Sequence, residues 1–403
     1  MSFQDNCAVD TLVAKAILEN LRQGTVPIEY VDYFSVGRRE ELHRAIERLE
    51  GLRSEGSLLT FVNGPYGAGK THFLGLLRSE ALRRRFCATH VVLSSTCCPL
   101  DRLQTVFGSL MKGLNTPDCR DRPAFRSILD SWIGMIREDL VESGKANQPC
   151  KHGLRYKDCG DGCLKELLME QISDLEGLSG SFQIVLTSYI NANLSQNHPV
   201  MHLCERWLLA DHLGVHDRRI ISKLARTKRQ VKNIDNEIAL RAFGDAARIV
   251  RSVNYRGLLV MLDEAETMPS AGRSAQIEAF FNLIRLMAWC RRWQNVHCVY
   301  ATTPYFDSVF KNHLRDAEAS DSIKEWINKE FRTSRIELTL PEDPMLLELA
   351  LKVSNIYRCA IEDNAPPKQD RVKSLAEAIA TKLRTGDTVR QFVTRFVAEL
   401  DRM

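Results

Sequence analysis

Gly64-Pro65-Tyr66-Gly67-Ala68-Gly69-Lys70-Thr71 is a glycine, four intervening residues and then Gly-Lys-Thr, the spacing of a phosphate-binding loop. Its flanks are those the loop requires. Leu58-Leu59-Thr60-Phe61-Val62 before it is an apolar run of strand length. After it, Phe73, Leu74, Leu76, Leu77, Ala81 and Leu82 recur at helical spacing. Glycines let backbone N–H groups turn inward around a polyphosphate, and the new helix directs its positive dipole end at the same anion. On this pattern the residues from Gly64 to His72 cradle a nucleotide, Lys70 reaches the β and γ phosphates, and Thr71 holds Mg²⁺. The alternative is a glycine-rich turn whose lysine is merely solvated.

Outward from the loop, the second landmark is Tyr255-Arg256-Gly257-Leu258-Leu259-Val260-Met261-Leu262-Asp263-Glu264. Its unbroken apolar run predicts a strand buried on both faces, with two carboxylates at its end, the Walker B arrangement. Asp263 is expected to hold the water shell of the Mg²⁺, and Glu264 to orient the attacking water. Acidic strand tips are common, and the pairing with the loop at 64–71 is what gives these two weight. Asp263 to Glu266 also spells a helicase-like box, but no second nucleotide core follows it. Val296 to Ala301 predicts a third core strand between the two landmarks. It ends in Thr302-Thr303-Pro304, where Thr303 is a candidate to bond the γ-phosphate or the attacking water; otherwise the threonines only open a turn. A fourth strand is expected over Arg335–Leu340. In an oligomeric ATPase, Arg332 or Arg335 would reach a neighbour's γ-phosphate; otherwise they are surface charges. Arg38, in Val36-Gly37-Arg38-Arg39-Glu40, sits in a segment suited to close over the base, and Arg390 near the start of the last helix is a candidate lid arginine. Surface exposure is the alternative for both.

The 403 residues are 44% hydrophobic with a net charge of +4, enough for two or three packed units and too weak a charge to argue for nucleic acid. No apolar run approaches the roughly 18 residues of a membrane span, and Met1 to Cys7 lack a signal pattern, so a cytoplasmic protein is expected. Twelve cysteines then point to thiols or a metal site before disulfides. Cys150, His152, Cys159 and Cys163 offer zinc a Cys/His ligand set, with Gly160 and Gly162 for the turn; free thiols in a polar loop are the alternative. Arg218, Arg219, Lys223, Arg226, Lys228, Arg229 and Lys232 form a basic run expected to be helical. It is either a solvated face or a contact for nucleic-acid phosphates. The expected architecture is α/β with a parallel sheet. Residues 1–96 hold N-terminal helices and the first half of the core. Residues 97–250, too long for a loop, form a mostly helical insertion. Residues 251–341 complete the core, and 342–403 form a helical lid.

In this order the landmarks resemble the AAA+ and STAND side of the P-loop ATPases, near the origin-recognition type. More closely, the chain is similar to the ATP-binding proteins of BREX bacteriophage-exclusion systems, of the BrxD type. The resemblance rests on Ile17-Leu18-Glu19-Asn20-Leu21-Arg22-Gln23-Gly24-Thr25-Val26-Pro27, on the Phe61–Leu74 stretch with its Pro-Tyr-Gly-Ala-Gly-Lys-Thr-His form, and on Tyr255–Glu264. It implies an ATP- and Mg²⁺-dependent ATPase in prokaryotic antiviral defence, working with other defence-system proteins and a helicase-like partner. The Cys/His cluster has no counterpart in the resemblance, and zinc rests on local spacing alone. The other function class left open is an ATP-gated loader that binds DNA directly.

Overall fold

The computed structural model describes residues 9–119, 124–142, 178–265, 272–316, 319–361, 369–381 and 389–402, together with 147, 149, 153–155 and 166. Its centre is a sheet of strands β1 (Ser57–Asn63), β2 (Cys87–Val92), β3 (Leu258–Asp263), β4 (Val296–Thr302) and β5 (Arg335–Glu337). The spatial order is β2-β3-β4-β1-β5, and every neighbouring pair is parallel. The fold is therefore α/β, with β4 lying between the loop strand β1 and the carboxylate strand β3. Asn63 stands opposite Thr302, and Val92 opposite Asp263, so the carboxyl ends of the strands gather along one edge. Side chains alternate between two faces, as a sheet covered on both sides requires. Leu59, Phe61, Val260, Leu262 and Tyr300 enter one core; Leu58, Val62, Leu259, Met261 and Val299 enter the other. One strand is shorter than its expected bounds: β5 ends at Glu337.

Helix α1 (Thr11–Arg22) is followed by a 3₁₀ turn (Ile28–Tyr33), α2 (Arg39–Glu55) and α3 (Lys70–Arg83). Asp10 caps α1 by accepting from the Leu12 N–H at 2.9 Å. Leu49 and Leu52 of α2 and Phe73 and Leu77 of α3 cover one face of the sheet. Between β2 and β3 run α4 (Leu103–Lys112), α5 (Ala124–Glu142), α6 (Gly180–Leu194), α7 (His198–Leu208), α8 (Val215–Leu224) and α9 (Asn236–Ser252). Then come α10 (Arg273–Cys290), α11 (Pro304–Asp316) and α12 (Asp321–Thr333). Phe107 of α4, Trp207 of α7 and Phe243 of α9 share one core with Phe61, Val260 and Tyr300 of the sheet. The described residues between β2 and β3 are thus mostly helical and share the core of the sheet. Phe182–Leu186, an apolar stretch of strand length but for Gln183, lies within α6. The basic run is helical only in its first part: α8 stops at Leu224, and Arg226 takes a left-handed φ of 54°.

The last helices are α13 (Asp343–Ile361), α14 (Gln369–Ala380) and α15 (Val389–Leu400). Their core is shared with the start of the chain. Ala14, Ile17 and Leu21 of α1 pack among Leu349, Val353, Phe392 and Phe396. Arg22 also donates to both oxygens of Asp401, at 2.9 and 2.8 Å. No helix among the described residues is long and apolar enough to cross a membrane.

Candidate functional site

The site begins where β1 ends. Gly67 and Gly69 each hold a φ of 84°, in the left-handed region, so the chain turns on itself twice before α3 starts at Lys70. Lys70 is 8% exposed, and its Nζ donates to the Gly64 and Pro65 carbonyls at 3.1 and 3.4 Å. The ammonium is thereby held over the concave side of the loop, at the positive end of α3.

Helix and strand meet through one short bond. Thr71 Oγ1 donates to Asp263 Oδ2 at 2.6 Å, across 192 residues of chain. Asp263 is 1% exposed, and its Oδ1 accepts the Glu264 N–H at 2.9 Å. Burial pushes the Asp263 carboxyl up, but His90, Thr71 and the Glu264 N–H more than offset this and hold it below the usual carboxylate range. It is an anion. Glu264 adopts a φ of 55°, uncommon for a residue with a Cβ and typical of functional positions.

Lys70, Thr71, Asp263 and Glu264 open into one cavity of about 500 Å³, a size common for small-molecule sites. Gly67 to His72 form its polar end. The other end is apolar and comes from both termini of the chain: Leu21, Val26, Phe34 and Val36 face Leu346, Leu349 and Val393. The cavity thus offers an anion cradle beside an apolar wall against which a ring can be buried. A divalent ion fits the polar end. The Thr71 hydroxyl and the Asp263 carboxylate already share a hydrogen bond there, and Mg²⁺ needs only such a pair plus waters and phosphate oxygens. No larger cluster of His, Cys, Asp or Glu that could hold a metal occurs among the described residues.

The other expected site residues divide. Tyr66, on the loop, is 69% exposed and borders the cavity with Gly67 and Ala68, whereas Gly64 and Pro65 do not line it. His72 borders it too, with Nε2 3.2 Å from Ser35 Oγ. Burial, then the Arg38 and Lys352 charges, push its pKa down to about 4. Arg38 lines the cavity and is tied in place: it donates to Glu41 at 3.1 Å, to the Ala68 carbonyl at 3.2 Å and to the Thr339 carbonyl. It braces the loop from the side. Arg390 is exposed and reaches the cavity from the first turn of α15.

Thr303, Arg332 and Arg335 do not line the cavity. At the tip of β4 it is Thr302 that is buried, with Oγ1 3.4 Å from Asn63 Oδ1. Thr303 is half-buried, and its carbonyl caps the start of α11. Arg335 donates to Asp307 at 2.6 Å and to Glu337 at 2.8 Å. Arg332 is exposed at the end of α12. Cys150, His152, Cys159 and Cys163 lie outside the described residues.

Sequence reasoning passed over the apolar wall and His90 on β2, whose Nε2 lies 3.4 Å from Asp263 Oδ2. Nothing in the sequence signals His90; its place depends on β2 pairing with β3. A family model described as BREX system ATP-binding protein BrxC/D matches residues 9–403. No curated protein and no solved structure matches the chain.

Proposed function

The chain belongs to the family of BREX system ATP-binding proteins BrxC/D, and we propose that it hydrolyses ATP there, as a nucleotide-driven switch or motor subunit of the BrxD type. The observation that carries this is the 2.6 Å bond between Thr71 and Asp263. It joins the two motifs an ATPase needs, at a cavity that also contains Glu264. Lys70 and the loop N–H groups bind the β and γ phosphates, and the apolar wall takes the base. Thr71 would hold a Mg²⁺ ion directly and Asp263 through water, and the ion would supply charge neutralisation on the phosphates. Glu264 orients the attacking water. Catalysis is then positioning with electrostatic stabilisation of the transferred phosphoryl group. An AAA+ architecture near the origin-recognition type fits a parallel sheet in which one strand separates the two motif strands. The protein is read as acting with other defence proteins, among them a helicase-like partner, and as a subunit that in a homo-oligomer would extend Arg332 or Arg335 to a neighbour's γ-phosphate.

Equilibrium binding and phosphate release on the full chain test the reading. Lys70→Ala is expected to weaken ATP binding at least 100-fold. Glu264→Gln should bind ATP as the wild type does and release no phosphate. Normal turnover by Glu264→Gln overturns the assignment.

The second reading, an ATP-gated loader that holds DNA, is favoured by one observation. Arg219, Lys223, Arg226, Lys228, Arg229 and Lys232 are all exposed, and none pairs with a carboxylate among the described residues. Duplex DNA binding whose affinity falls steeply with salt, and that reversal of these charges abolishes, supports it. No binding at low salt, with or without ATP, removes it.

A further inference from the structure

Asp263 carries more partners than a strand-tip carboxylate needs. Oδ1 takes the Glu264 N–H and Oδ2 takes the Thr71 hydroxyl. The same Oδ2 faces a third group, His90 Nε2, at 3.4 Å. His90 comes from β2, the outer neighbour of β3. The register places Met261 opposite His90 and Val92 opposite Asp263, so His90 and Asp263 are diagonal neighbours on one face of the sheet, within reach of a long side chain. The imidazole is 10% exposed. Its Nε2 is shut off from solvent and has no hydrogen bond of good geometry among the described residues. A buried ring nitrogen left this way is uncommon, and this one is aimed at the carboxylate on which the site turns.

We propose that His90 is a positioning residue for Asp263: its Nε2–H holds the Oδ2 lone pair that Thr71 leaves free, keeping the carboxylate in the orientation that Mg²⁺ requires. The inference rests on the ATPase reading given above. The need for such a group follows from the division of labour at Oδ2. The Thr71 hydroxyl must serve the metal and the carboxylate together, so it holds Oδ2 less firmly than the Glu264 N–H holds Oδ1. His90, which does not line the cavity, holds it from β2, as outer partners commonly fix metal-binding carboxylates. His90 touches neither substrate nor metal and acts through Asp263 alone.

The test compares wild type, His90→Gln and His90→Leu as full chains. A fluorescent non-hydrolysable ATP analogue is titrated once with saturating Mg²⁺ and once in EDTA, and thermal midpoints are recorded beside both. The Gln amide N–H reaches the position of Nε2, whereas Leu offers no donor. In EDTA all three chains should bind the analogue within about twofold of one another. The gain in affinity that Mg²⁺ brings should fall about tenfold or more in His90→Leu and be largely restored in His90→Gln. Should His90→Leu fail to fold, His90→Asn replaces it, since its shorter amide falls short of Oδ2. A wild-type Mg²⁺ gain in His90→Leu overturns the proposal. So does an equal loss with and without Mg²⁺, which marks a purely structural histidine. A wild type that binds the analogue in neither condition overturns instead the ATPase reading beneath it.

Discussion

Asp263 and Glu264 are adjacent in sequence, yet the backbone sends them to different tasks. Asp263 ends a buried strand and is held by its neighbours; Glu264 turns through a left-handed φ of 55° into the cavity. They were legible in the sequence, because two carboxylates at the end of a buried apolar run gain weight beside a phosphate-binding loop. The protonation state of the histidines was not legible. Burial and nearby cations push His72 to about 4 and His297 to about 3, from an ordinary 6.5. Both are therefore neutral in the folded chain, and the unfolded chain binds more protons below pH 6.5. Stability is whole above about pH 6.5 and is lost progressively as the pH falls through 4. We expect the urea midpoint to drop over that window and His72→Gln to flatten part of the drop. Each tenfold difference in proton affinity is worth about 1.4 kcal/mol. A flat profile between pH 6.5 and 4 contradicts the assignment. Asp263 acts in a lower window: its contribution is present above its ordinary 3.8 and lost as the pH falls further.

At the scale of elements, the loop and its helix followed from spacing alone, because glycine and helical periodicity act over a few residues. What surrounds the loop did not. Gly64 lies against β5's continuation, and a Cβ placed on it would sit 2.7 Å from the Leu338 carbonyl oxygen. Gly64→Ala must displace backbone, since Leu338 N–H in turn donates to the Asn63 carbonyl at 2.7 Å. We expect it to cost about 1–3 kcal/mol, the usual range for overpacking, and to weaken ATP binding. Urea denaturation and nucleotide titration on the same variant measure both. The basic run shows the reverse failure. Its apolar residues suggested a continuous helix, but the Thr227 N–H returns to the Ser222 carbonyl at 3.1 Å and ends α8 there. Val231 is still buried, now from an irregular segment held by Arg218 through the Val231 carbonyl at 3.1 Å.

Across the whole molecule the two ends of the chain form one unit over the cavity. α1 packs into α13 and α15, so the segment after α1 and the last helices border the same cavity. Leu349 belongs both to that core and to the cavity wall. Leu349→Ala should cost about 2–5 kcal/mol of stability and also weaken ATP binding. Asp401→Ala, which breaks the exposed pair with Arg22, should change stability by less than about 1 kcal/mol and leave binding unaltered. Calorimetry with and without ATP separates these outcomes. ATP at 100 times its dissociation constant should add about 2.7 kcal/mol to the wild type and less to Leu349→Ala. The sequence by itself determined the loop, the carboxylate pair, the strand-and-helix class and the helical ends, because each depends on residues close together in the chain. Only the tertiary structure decided that β5 pairs with β1 at the sheet edge, that His90 stands beside Asp263, and that α1 joins the last helices to wall the cavity. These depend on strand pairing and on burying apolar faces from distant segments, and local periodicity carries no record of the partner chosen.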